Sequence, residues 1–275
     1  MERIKNFFHG IKEILKKPVV SILPGHLSFA FVLSFIPLLS LISLIAYKLS
    51  ISVDVLRVFL INALPGQTGK ILIQFLNTDN IYFNGVLFTI LAISITSNGM
   101  YSLIRVSNIL YGDSRDDISV KVKNRIKSVL MAFLMIGLVI FMFIVLGWGN
   151  SIVHQLSKLE SLKQVHSVIS DVYKVLKFPI SFFIIHFIIK TIYTLAPSEK
   201  IKSKTVNIGS FFATISLIIV TAIYSHYVTL SIRYDILYGS LSNIIILFIW
   251  LYVISLVLIL GLVINVYNQK KINIP

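Results

Sequence analysis

Six apolar runs, each long enough to cross a bilayer, constrain this chain more than any other feature. They lie at Leu27–Tyr47, Tyr82–Ile104, Val129–Trp148, Phe178–Ala196, Ile208–Leu230 and Ser242–Tyr267. A spanning helix needs roughly 20 apolar residues to cross ~30 Å of hydrocarbon. With 56% hydrophobic residues and a mean hydropathy of +0.89, the 275-residue chain is too apolar for an ordinary soluble domain. The pattern predicts an all-α integral membrane protein, a single polytopic domain over residues 1–275. The first run starts too deep, and lacks a small-residue cleavage site, to be a removable signal peptide. The chain has no cysteine, which excludes disulfides, thiolate metal sites and cysteine nucleophiles.

The net charge of +14 invites a nucleic-acid reading, but the placement of the charge argues against one. Six spans put both termini on one side, and that side then holds 17 of the 25 basic residues. The other side holds eight: Lys48, Arg57, Lys70, Lys158, Lys163, Lys174, Lys177 and Arg233. Basic residues are retained in the cytoplasm during insertion, so the expected topology is N-in, C-in. Topogenesis and attraction to anionic headgroups account for the basic balance without nucleic acid.

Three segments outside the spans have helical periodicity of their own. Ile4, Phe7, Phe8, Ile11, Ile14 and Leu15 form one face of residues 1–18, with lysines opposite and Pro18 ending the run. This predicts an interfacial helix on the cytoplasmic leaflet. Residues 49–81 read as two short amphipathic helices broken at Pro65-Gly66, and residues 150–177 as one long amphipathic helix leading into span four.

A polar group in hydrocarbon must find a partner, so the interior is where chemistry would show. None of the 11 acidic residues lies inside a span, which weakens any proton- or sodium-coupled scheme built on a buried carboxylate. His26, His186 and His226 sit in or near spans. Hydroxyl and amide groups are plentiful, among them Ser34, Ser97, Asn98 and Thr214, and helix-to-helix hydrogen bonding explains most of them. Pro37 removes a backbone bond in the middle of span one, predicting a kink whose freed carbonyl Ser34 or Ser40 would meet. Ser97-Asn98-Gly99 weakens span two in the same way. Gly209 and Ala213, four apart, mark a close helix contact.

Ala30-Phe31-Val32-Leu33-Ser34-Phe35-Ile36-Pro37 resembles the first-span pattern of the YihY/BrkB family of bacterial inner-membrane proteins. Ser107-Asn108-Ile109-Leu110-Tyr111-Gly112 is similar to that family's cytoplasmic turn after span two. Tyr193-Thr194-Leu195-Ala196-Pro197 followed by Gly209-Ser210 resembles its passage from span four to span five. The closing stretch resembles it most: Tyr227, Tyr234, Tyr238-Gly239-Ser240, Trp250, Gly261 and Asn265. The likeness covers nearly the whole chain, in order. Two positions depart from it: Phe31 stands where the family commonly has Tyr, and Val263 where it has an acidic residue.

The resemblance implies a six-span membrane protein whose ribonuclease label is a misassignment. RNA hydrolysis needs metal-binding carboxylates or an acid–base pair within reach of RNA. Asp113, Asp116 and Asp117 read instead as a solvated face answering Arg115 and Lys121, and the histidines show no ligand spacing. Neither a phosphate-cradling loop nor a cofactor site is evident, so no enzyme activity, no cofactor and no metal are expected. The leading expectation is a transporter or flippase-like protein for a lipid or other amphipathic envelope component, with anionic membrane lipids as partners. Its candidate substrate-binding residues are Ser34, Pro37, Ser97, Asn98, Arg105, Asn108, Arg233, Tyr234 and Tyr238. A polar cavity between spans one, two, five and six would accompany that function. The alternative is a non-catalytic scaffold for envelope-assembly partners, for which solid packing there would speak. An enzyme on lipid-linked substrates and a small-solute channel are weaker readings, and a homo-oligomer is left open.

Overall fold

Pro18 divides the first 48 residues as its chemistry dictates. In a computed structural model, which describes residues 2–48, 85–113, 115, 117–142, 166–230 and 242–272, helix α1 (Glu2–Leu15) stops short of Pro18 and α2 (Pro18–Lys48) begins on it. Proline suits a first helical position because its missing N–H would be unpaired there anyway. Five more helices follow: α3 (Gly85–Tyr111), α4 (Ile118–Met142), α5 (His166–Leu195), α6 (Asn207–Leu230) and α7 (Ser242–Ile272). No strand occurs among the described residues.

Helices α2 to α7 each pack on the next, and α7 packs back on α2, so the six close into a ring. Helix α1 lies across the ends of α7 and α2. There the rings of Phe7 and Tyr267 meet edge to face at 5.4 Å, and Ile14 is buried.

Polarity is distributed as lipid requires. Phe29, Leu33, Phe133, Phe183, Phe187, Ile219 and Ile223 point outward and are exposed, while Ser28, Ser97, Ser107, Ser128, Ser210, Thr214 and Ser255 are buried. Most of these hydroxyls fold back onto a carbonyl three or four residues earlier, as Ser97 does to Ser94 and Thr214 to Ser210. Among the described residues, four segments are long and apolar enough to cross a membrane: Pro18–Ile42, Phe178–Leu195, Asn207–Tyr224 and Ile245–Gln269. The last three match expected spans four, five and six within a few residues at the basic end. The first begins nine residues earlier than read from the sequence, because helix and apolar content both run back to Pro18. Helices α3 and α4 cover the described parts of spans two and three. The amphipathic segment 49–81 and residues 150–165 lie outside the described residues, whereas residues 166–177 run as helix into span four. The chain is a multi-pass helical membrane protein.

The two expected weak points are continuous helix. Helix α2 runs through Pro24 and Pro37, and α3 runs through Ser97-Asn98-Gly99. Gly99 serves close approach instead, since a Cβ there would meet the Ser34 hydroxyl and the Phe31 ring of α2.

Candidate functional site

Alternating helix directions gather one end of the bundle around the start of α2, α4 and α6 and the finish of α3, α5 and α7. This end carries Lys16, Lys17, Arg105, Lys121, Lys123, Arg125, Lys127, Lys190 and the lysines of the α5–α6 loop. It is the basic end.

Here the two motifs closest to it meet, 90 residues apart in sequence. Asn108, at the end of α3, donates from Nδ2 to Ser198 Oγ at 2.7 Å and accepts from the Ser198 backbone N–H at 2.8 Å. Ser198 Oγ also donates to Asn124 Oδ1 of α4 at 3.0 Å. Lys127 donates to the Pro197 carbonyl at 2.7 Å, and its own burial, then the neighbouring Lys123, lower its pKa. The α5–α6 loop is thereby tied to the α3–α4 hairpin. At the hairpin tip Gly112 adopts φ +79°, a conformation side chains disfavour. Asp113 accepts two side-chain bonds from Arg115 at 2.8 and 2.7 Å, and these hold its carboxyl below the usual range. Burial pushes the Tyr111 phenol far above its ordinary range.

The other expected site residues divide. Ser34 is buried between α2 and α3, its hydroxyl 2.8 Å from the Ala30 carbonyl and 3.1 Å from the Ile95 carbonyl. It does not turn to Leu33, whose carbonyl Pro37 leaves unpaired. Ser97 is fully buried and bonds within its own helix. Asn98 is exposed and accepts from Arg125 Nη1 at 2.6 Å. Arg105 is exposed at the basic end of α3. Arg233, Tyr234 and Tyr238 lie outside the described residues.

Gly209 and Gly261 let α6 and α7 meet backbone to backbone. A Cβ on Gly209 would fall into the Gly261 carbonyl and the Asn265 amide, and one on Gly261 would strike the Tyr193 hydroxyl. Asn265, fully buried, accepts from the Gly209 N–H at 2.9 Å. Tyr193, also fully buried, donates to the Leu258 carbonyl at 2.7 Å. Around this seam Leu27, Leu103, Ile104, Ala213, Ile259, Leu262 and Val263 fill the space between α2, α3, α6 and α7. Among the described residues those four helices meet at the basic end in mainly apolar packing, with Ser28, Ser97, Ser107 and Asn265 buried within it.

A groove lies elsewhere, on the flank between α5 and α6. About 420 Å³ in volume, it is lined by His186, Lys190, Asn207, Ile208 and Phe211. His186 stacks on Phe182, meets the edge of Phe211 at 6.0 Å and stands 3.5 Å from the Thr214 hydroxyl. Lys190, one turn further toward the basic end, has no carboxylate in reach among the described residues. The sequence reading left this pair out of the site, although His186 and Lys190 stand four apart on one helical face. Arg125 is the second residue absent from the expected site; no pattern shows how far a side chain reaches.

Of the motif residues described, Ser34, Asn108, Tyr193, Gly209, Gly261 and Asn265 all sit where one helix or loop meets another. A profile of the virulence factor BrkB family matches residues 16–274. The chain belongs to that family. Across 258 residues it is 28% identical to the ribonuclease-like protein YfkH of Bacillus subtilis (strain 168), covering 91% of this chain and 90% of YfkH. It is 27% identical over 251 residues to the UPF0761 membrane protein VV0203 of Vibrio vulnificus (strain YJ016), covering 88% of this chain and 75% of that protein. No solved structure matches. BrkB membership agrees with the resemblance read from the motifs. Among the described residues, no three His, Asp or Glu side chains of this BrkB-family chain gather as metal ligands would.

Proposed function

We propose that this protein binds an amphipathic, anionic envelope component and carries it across the cytoplasmic membrane of a bacterium, with both termini in the cytoplasm, and that it is not a ribonuclease. The observation that carries the reading is the α5–α6 groove. Its volume falls within the ~300–1,000 Å³ of small-ligand clefts. Ile208, Phe211 and the face of His186 supply an apolar wall, and Lys190 and Asn207 supply a cation and an amide at the basic end. That order of chemistry along the groove matches an acyl chain followed by a charged headgroup, entering sideways from the leaflet.

The test is lipid scrambling in proteoliposomes of phosphatidylethanolamine and phosphatidylglycerol carrying a fluorescent phosphatidylglycerol. Lys190→Glu should slow scrambling at least tenfold while the helical content stays that of the parent, and Arg105→Ala should slow it less. Scrambling no faster than in empty vesicles, or unmoved by Lys190→Glu, would sink the reading. The scaffold reading draws on a separate observation, the apolar packing of α2, α3, α6 and α7. A co-purifying envelope protein, with no scrambling, would move the assignment there.

A further inference from the structure

Arginine near a membrane surface ordinarily snorkels, laying its stem along apolar surface and its charge in the headgroup layer. Arg125 does the reverse. It stands seven residues past the start of α4. Its guanidinium, however, bonds to Asn98 Oδ1 at 2.6 Å and to both the Ser94 carbonyl and the Ser94 hydroxyl at 2.9 Å. Both residues lie inside the apolar run of α3, short of its basic end. The side chain has been drawn inward, away from the layer where its charge is cheapest. Its carbon sits 6.0 Å from the centre of the Tyr101 ring.

The partners are all neutral. A carbonyl, a hydroxyl, an amide and a ring face orient the guanidinium but leave its charge uncompensated, and among the described residues no carboxylate reaches it. Three of its five N–H groups are engaged, so Nε–H and one Nη1 hydrogen are left to donate. Asn98 is exposed on the flank of the bundle, so the cluster opens sideways toward lipid rather than into the packed centre.

We infer that Arg125, held by Ser94 and Asn98, is an oxyanion site at membrane depth on the α3–α4 flank, and that its ligand is a phosphate group. The two spare N–H groups lie on different edges of the guanidinium, so a phosphate oxygen can take either one, and the ligand supplies the negative charge the protein withholds. The phosphate arrives either on a lipid headgroup or as a free anion. The site is separate from the α5–α6 groove and does not depend on it.

The experiment uses the full chain stripped of phospholipid in maltoside micelles. Phenylglyoxal, which modifies free guanidinium groups, is followed at Arg125 by peptide mass spectrometry. The additions compared are none, diacylglycerol, phosphatidylglycerol and inorganic phosphate. Phosphatidylglycerol should slow modification of Arg125 at least fivefold relative to diacylglycerol, while exposed Arg105 changes little. Protection by phosphatidylglycerol alone assigns the site to a lipid headgroup; equal protection by inorganic phosphate assigns it to a free anion. Equal rates in all four conditions would make Arg125 a helix-to-helix staple and overturn the inference.

Arg125→Lys and Arg125→Gln give a second measurement. Retained phosphatidylglycerol, counted by native mass spectrometry, should fall in the order parent, Lys, Gln. The labelling of the parent decides the matter even if Arg125→Gln fails to fold. Lys190→Glu should leave the protection of Arg125 intact, so loss of the groove and loss of this site can be told apart.

Discussion

The seam between α6 and α7 and the seam between α3 and α4 solve the same problem of joining two helices in lipid, by opposite means. At the first, Gly209 and Gly261 bring the backbones together, and the polar groups, Asn265 and Tyr193, are fully buried, with the Gly209 N–H and the Leu258 carbonyl as partners. At the second, a charged side chain crosses the gap to Ser94 and Asn98 and leaves donors over on a half-exposed group, whereas the first seals its one spare donor, Asn265 Nδ2, in the packed interior. Tight small-residue seams are suited to holding shape. A polar seam with spare hydrogen-bonding capacity is suited to receiving something. The difference separates the part of the molecule that must not change from the part open to a ligand.

The sharpest way to break the comparison is a single methyl group. Gly209→Ala should cost about 3 kcal/mol, at the upper end for overpacking, because the obstruction is backbone as well as side chain. Gly137→Ala in α4, where a Cβ would meet nothing, should be neutral or stabilising by up to about 1 kcal/mol. Thermal unfolding of both variants in detergent checks the pair, and similar midpoints would dissolve the distinction between the seams.

A smaller effect is expected where the polar side meets the α5–α6 loop. Asn108→Ala removes both bonds to Ser198 and should cost about 1 kcal/mol. Amide exchange at Ser198 should quicken at least several-fold, with exchange in the α6–α7 seam unmoved.

The smallest effect concerns the turn between α3 and α4. The Asp113 carboxyl is held below its ordinary value of 3.8, chiefly by its hydrogen bonds from Arg115. A depressed carboxylate contributes stability that is present above the unfolded value and is lost as pH falls through the folded one. The turn should therefore loosen only below about pH 4, and Asp113→Asn should abolish that step. Hydrogen exchange of the Arg115 amide, which also bonds Asp113, reports it directly.

The helices were legible because their causes are local. Long apolar runs, the break at Pro18 and the Gly209–Ala213 spacing all belong to one stretch of chain, and the structure places them as the periodicity implies. Contacts such as Asn108 with Ser198 depend on which helices become neighbours, which periodicity does not state. Their only trace was that both residues lie in or beside motif-like stretches. At Pro37 α2 stays continuous helix, and the Ser34 hydroxyl bonds the Ala30 and Ile95 carbonyls rather than the one that proline frees. Arg125 was hardest to see, since its position before span three argues for the headgroup layer and its side chain leaves it.

Helix α7 packs on both α6 and α2, and it also carries Tyr267, on which Phe7 of α1 rests. Of the described helices, α7 is thus synthesised well after α1 and α2, which both pack on it. Until α7 has left the ribosome and entered the membrane, α1 lacks its main seat and α2 has one flank unpaired. Assembly is consequently gated from the C-terminal end. A chain cut before residue 242 would present the cell's quality control with an open ring rather than a slightly weaker bundle.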